Sequence, residues 1–226
     1  MRHFLDLKDF STDTLQSILD EGLRMKVKQK SGDGHELSLS GKTVAMIFEK
    51  PSTRTRVSFE VGVNQLGGTP LILSANDLQS GRGETIEDTA RVLSRYVNAI
   101  MIRCHKHETL LSLAKHASVP VINALTNRSH PCQIMADLMT MIEYHGPLAG
   151  QTVAWFGDGN NVAVSWIEAA VRFGFHLRIA CPVRYAPPAG LLAWAQANGG
   201  DIILTDDVNL AIEKVQTVVT DVWISM

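Results

Sequence analysis

Short apolar runs of β-prone residues alternate with helix-like segments along most of the chain, and this alternation restricts the fold more than any other feature. The first half carries "TVAMIF" (43–48), "TPLIL" (69–73), "AIMI" (99–102) and "VPVIN" (119–123). The second half carries "QTVAWF" (151–156), "HLRIA" (176–180), "GDIIL" (200–204) and "QTVVT" (216–220). Runs that are apolar on both faces suit a parallel sheet covered by helices. Helical stretches fall between them at 55–66, 85–96, 132–145 and 161–172. The order βαβα predicts an α/β fold with right-handed crossovers, as two doubly wound parallel-sheet domains. The polar, glycine-bearing break "HGPLAGQ" (145–151) sets the expected boundary: one domain over 1–146, a second over 147–226, the second incomplete at its C-terminus. An opening helix is expected from "STDTLQSILDEGLRMKVKQK", capped by Ser11 or Thr12, with Leu15, Ile18, Leu19 and Leu23 as its apolar stripe.

A chain of 226 residues with 45% hydrophobic and 19% charged residues has enough apolar material for such cores. A net charge of −2 gives no general attraction to nucleic acid or a membrane surface, so neither is an expected partner. The N-terminus "MRHFLDLKDF" lacks the apolar core of a signal peptide, and no apolar run approaches the ~18 residues of a membrane span. A cytoplasmic protein is expected. Cys104, Cys132 and Cys181 are scattered and form no C-x-x-C pair, which argues against a disulfide framework or a thiolate zinc site. "CHKH" (104–107) reads as a polar strand end rather than a metal cluster, because no second ligand pair lies nearby.

"PSTRTR" (51–56) is the chemically dense segment. Pro51 keeps Lys50 extended, so Ser52 is placed to cap a helix starting near Thr53. That puts the segment at the carboxyl end of a parallel strand, where α/β sheets bind ligands. A helix start offers free N–H groups and partial positive charge. Ser52, Thr53 and Thr55 add hydroxyl donors and Arg54 a guanidinium fork, a set suited to phosphate or a comparable dianion. Of Arg54 and Arg56, one is expected to hold the ligand and the other to brace the fold, with Glu60 at i+4 as a partner. Arg103 follows "AIMI" at another carboxyl end. His130 and Gln133, in "HPCQ", share the first turn of a later helix, as two donors to one carbonyl oxygen would. "GDGNN" (157–161) follows a strand and opens a helix, but it lacks G-x-G-x-x-G spacing, and no acidic residue ends "HLRIA" to hold a ribose.

"FEKPSTRTRVSFE", "DLQSGRGETIEDTARVLSRY", "MIR" and "HPCQ", in that order, resemble the aspartate/ornithine carbamoyltransferase family, and "GDGNN" and "DVWISM" resemble its ornithine-specific branch. The resemblance implies transfer of the carbamoyl group of carbamoyl phosphate to the δ-amine of L-ornithine, giving citrulline and phosphate, with no cofactor and no metal. It implies a role in arginine metabolism, in amino-acid biosynthesis, and a homotrimer. It assigns Ser52, Thr53, Arg54 and Thr55 to the phosphate, and Arg103, His130 and Gln133 to the carbamoyl group, with Arg103 also on the phosphate. Arg54, Arg103, His130 and Gln133 are the implied catalytic set. Gln79 is implied to reach a neighbouring subunit's site, and Asn161, Asp221, Ser225 and Met226 to bind ornithine. Val164 and Asn127 stand where relatives carry other, polar or acidic, residues. The family also continues beyond "DVWISM" with a segment that supplies a cysteine and an arginine. The expectation alongside the main one is therefore a truncated homologue that binds carbamoyl phosphate, or only assembles, without turnover.

Overall fold

The computed structural model describes residues 3–34, 36–74 and 84–222. Spatial proximity divides the chain into two compact units, Met1–Leu5 with Glu21–Asn127, and Asp6–Asp20 with Arg128–Met226. Helix α1 (Thr12–Ser31) runs through this division. Leu15 and Leu19 are buried, whereas Ile18 is 42% exposed and leaves the expected stripe. At 3.6 residues per turn Ile18 lies about 60° to one side of Leu15, on the flank opposite Leu19.

The first unit holds β1 (Thr43–Phe48), β2 (Thr69–Ser74), β3 (Ala99–Arg103) and β4 (Val121–Leu125), all parallel, in the order β2-β1-β3-β4. Helices α2 (Thr53–Gln65), α3 (Ile86–Leu93) and α4 (His107–His116) connect them. Strand residues alternate between two apolar clusters. Ala45, Ile47, Ile100 and Ile102 pack with Ala90 of α3 and with Leu110 and Leu113 of α4. Val44, Met46, Phe48 and Met101 pack with Phe59 and Val63 of α2. Both faces are thus covered, which is why these runs are continuously apolar. Pro70 lies in β2, an outer strand, where its missing N–H costs no ladder bond on the open side.

The second unit holds β5 (Thr152–Phe156), β6 (His176–Ala180), β7 (Ile202–Thr205) and β8 (Thr217–Thr220), also parallel, in the order β7-β6-β5-β8. Its helices are α5 (Pro131–His145), α6 (Asn161–Phe173), α7 (Ala189–Ala197) and α8 (Val208–Ile212). The helix at 131–145 thus groups with this unit, where it packs on α6. Double-sided burial holds for β5, whose Val153, Ala154 and Trp155 are fully buried. It does not hold for β7 and β8, which leave Ile203, Leu204 and Val218 exposed. An outer strand has one neighbour, and less of the helix layer lies over it.

The strand orders locate the crevices. From β1 the chain moves outward to β2 on one side, then returns to lay β3 on the other. The connections leaving β1 and β3 therefore diverge, and the carboxyl ends of those strands border an open groove. The same reversal occurs around β5, with β6 on one side and β8 on the other.

Candidate functional site

Phe48, the last residue of β1, stands in register with Arg103, the last residue of β3. The backbone beyond each strand is fixed by two bonds: Glu49 N–H donates to the Arg103 carbonyl at 3.0 Å, and His105 N–H donates to Glu49 Oε2 at 2.7 Å. Four residues, 49–52, separate β1 from the start of helix α2. Ser52 occupies its N-cap position in an extended conformation but makes no side-chain cap bond, contrary to the expectation that its hydroxyl would cap. The hydroxyl and the N–H groups of Thr53, Arg54 and Thr55 are thus left outside the helical ladder. Arg56 pairs with Glu60 at 3.6 Å, the bracing role expected for one of the two arginines. Arg54 is exposed at the first turn.

Arg103 is half-buried, and its Nη1 donates to Thr55 Oγ1 at 2.9 Å. Its Nε is buried and finds no hydrogen-bond partner among the described residues. Burial, and next the nearby Arg54 charge, hold the Arg103 guanidinium below its ordinary pKa. Among the described residues no carboxylate forms an ion pair with Arg54 or Arg103. Two like charges with no counter-charge among the described residues, beside a helix N-terminus, are an arrangement that suits an anion.

In the second unit, His130 is the N-cap residue of α5 and Pro131 opens the helix, a position where a missing N–H costs nothing. His130 N–H donates to Ser165 Oγ of α6 at 2.8 Å. Gln133, one turn along, is exposed, and its Nε2 donates to Asp137 Oδ1 at 2.9 Å, leaving its carbonyl oxygen and a second hydrogen for a ligand. Burial pushes the thiol of Cys132, between them, up to about 12, which disfavours its thiolate.

Phe156, ending β5, stands in register with Thr220, ending β8, so "GDGNN" and Asp221 meet at the second switch point. Gly159 N–H donates to the Tyr185 carbonyl at 2.7 Å, and a Cβ at Gly159 would sit 2.6 Å from Pro187 Cα. Only glycine fits under that loop. Asn160 caps α6, its Oδ1 accepting from the N–H of Val162 at 2.9 Å and of Ala163 at 3.0 Å. Its Nδ2 donates to Asp221 Oδ2 at 3.1 Å. Sequence reasoning chose Asn161 and passed over Asn160, although an Asn before a helix is a cap signal. Asn161 follows as the first residue of α6 and accepts at its carbonyl from Ser165 Oγ. Asp221 is exposed.

Gln79, Ser225 and Met226 lie outside the described residues. Asn127 Oδ1 accepts from His107 N–H at 3.2 Å. Val164 is buried and lines a cavity of about 420 Å³ with Leu191, Trp194 and Pro188, so an apolar residue suits it. In "CHKH", the Cys104 thiol donates to the Lys106 carbonyl, and His107 Nδ1 pairs with Thr126 Oγ1 at 2.9 Å. Among the described residues no three His, Cys, Asp or Glu side chains are grouped to hold a metal.

Residues 2–143 match the family model described as aspartate/ornithine carbamoyltransferase, carbamoyl-P binding domain, and residues 149–226 the one described as aspartate/ornithine carbamoyltransferase, Asp/Orn binding domain. The ornithine carbamoyltransferase of Rhodopseudomonas palustris (strain BisA53) is 55% identical over 229 residues, covering 100% of this chain and 73% of the relative. That of Nitrobacter winogradskyi is 55% identical over 225 residues, with the same coverage. Among solved structures, the ornithine carbamoyltransferase from Pyrococcus furiosus superposes with a TM-score of 0.95 at 47% identity, over 99% of this chain and 72% of that one. The anabolic enzyme from Campylobacter jejuni gives a TM-score of 0.92 at 40% identity, over 100% of this chain and 74% of that one. The likeness extends through both units and through the fold itself: the chain belongs to the aspartate/ornithine carbamoyltransferase family.

Proposed function

We propose that this protein is an ornithine carbamoyltransferase, moving the carbamoyl group of carbamoyl phosphate to the δ-amine of L-ornithine. The observation that carries this assignment is the start of α2: Arg103 donates to Thr55 in its first turn, near enough to Arg54 to feel its charge, and no carboxylate pairs with either guanidinium among the described residues. A phosphate group is the counter-charge they lack. The names of the relatives, all ornithine carbamoyltransferases, support the choice of substrate.

The first unit would hold phosphate through Ser52, Thr53, Arg54, Thr55 and Arg103. In the second, His130 and Gln133 would donate to the carbamoyl oxygen, while Asp221, steadied by Asn160, would take the ornithine ammonium together with Asn161. The neutral δ-amine attacks the carbamoyl carbon. A C–N bond forms, the C–O bond to phosphate breaks, and phosphate leaves with the electron pair. One amine proton passes to the departing phosphate. Charge grows on the carbamoyl oxygen and then on phosphate, so donors aimed at both lower the barrier. No step calls for a cofactor.

The same assignment extends to Gln79, Ser225 and Met226 as ligand groups, to a homotrimer in the cytoplasm and to a place in arginine biosynthesis. These follow from the family resemblance. Among the described residues no helix is long and apolar enough to cross a membrane.

A colorimetric citrulline assay with carbamoyl phosphate tests the proposal, offering L-ornithine or L-aspartate as the amine. Citrulline from ornithine, with no carbamoyl-aspartate, is the expected result. Carbamoyl-aspartate as the main product, or neither product, would refute it.

A further inference from the structure

The N-cap of α5 is an unusual place for histidine. Helices favour Ser, Thr, Asp or Asn there, because a short side chain accepts from the first free N–H groups. His130 makes no such cap bond. Its own placement depends instead on residues from other elements. Its N–H donates to Ser165 Oγ at 2.8 Å, and that hydroxyl donates onward to the Asn161 carbonyl at 3.3 Å, one turn back on α6. The preceding residue is tied as well: Ser129 Oγ donates to Asp6 Oδ1 at 2.5 Å. Ser129 and Ser165 are fully buried and Asp6 is 3% exposed. Pro131 then fixes the backbone on the other side.

Burying a carboxylate and two hydroxyls costs free energy that apolar residues of similar size would not. The cost is understandable where a ligand-binding side chain must be held in place, since an error of about 1 Å at a reacting group can cost 10²-fold in rate. We infer that Ser165 and the Asp6–Ser129 pair are positioning residues for His130, fixing where its imidazole stands. They act through the His130 backbone and make no contact with substrate. The inference rests on the assignment of His130 to the carbamoyl oxygen.

The test compares Ser165→Ala, Ser165→Thr and Ser129→Ala in the full chain, with two readouts. One is the nitrogen-detected NMR titration of the His130 ring, assigned by its absence from His130→Gln. The other is citrulline kcat with the KM for ornithine. Ser165→Ala is expected to shift the His130 ring signals and to lower kcat about tenfold or more, with KM within about twofold. Ser165→Thr, which keeps the hydroxyl, restores both. A folded Ser165→Ala protein with wild-type ring signals and wild-type kcat overturns the inference. If Ser165→Ala does not fold, Ser129→Ala makes the same comparison from the other side. A wild-type chain that makes no citrulline refutes the functional assignment instead, and the ring signals then decide the positioning role alone.

Discussion

Arg103 Nη1 donates to the Thr55 hydroxyl at 2.9 Å, joining the end of β3 to the first turn of α2. Thr55 therefore orients the half-buried guanidinium with its lone pair and keeps its hydrogen for a ligand. Thr55→Val keeps the shape and removes both functions. Loss of a bond of this kind is worth about 1–1.5 kcal/mol, so affinity for a phosphonate analogue of carbamoyl phosphate should fall close to tenfold. Unchanged affinity by calorimetry would show that Arg103 needs no such support.

Asn160 does two jobs, capping α6 and holding Asp221. Asn160→Ala should lower stability by about 1 kcal/mol through the lost cap. It should also raise the KM for ornithine severalfold while leaving that for carbamoyl phosphate near its wild-type value. Equal changes in both constants would mean that the damage is general and that Asp221 does not depend on Asn160.

Glu168 of α6 is fully buried, and Lys8 N–H donates to its Oε2 at 3.2 Å. Burial, and then the Asp6 charge, push its carboxyl up to about 8, while Lys8 acts the other way and Asp9 adds to the rise. Below its unfolded pKa, near 4.5, folded and unfolded chains both carry the proton. As pH rises from there towards about 8 the unfolded chain ionises first, so stability falls, and above about 8 the loss levels off. Glu168→Gln removes this dependence. Thermal unfolding should find the variant and wild type alike near pH 4 and the variant more stable at pH 8.5. Parallel curves across that range would contradict the assignment.

The eight strands among the described residues were legible as short apolar runs, demanded by two covered faces in inner strands such as β1, β3 and β5 and kept in the outer β7 and β8 without full burial, and Arg103 because a charge directly after such a run is conspicuous. Strand order was not legible, since which strands pair depends on packing between distant segments; the order is what puts Arg103 beside α2 and Asp221 beside Asn160. Of the two adjacent asparagines, Asn160 directly precedes the helix expected from 161 and caps it; its bond to Asp221 was not legible, because it joins residues 61 apart. Ser165 gave no signal: within a buried helix a serine resembles a small filler, and its bond to His130 joins residues 35 apart. Ile18 was assigned to the core by spacing alone, and a stripe narrower than expected left it outside.

Binding of carbamoyl phosphate by the paired arginines is the central claim, and calorimetric titration with its phosphonate analogue tests it most directly. Wild type should bind and Arg54→Ala should bind about 10- to 100-fold more weakly, the range for a lost charge-assisted contact of about 1.5–3 kcal/mol. Equal affinity in the two proteins would contradict the account, because Arg54 would then stand beside Arg103 for some reason other than phosphate.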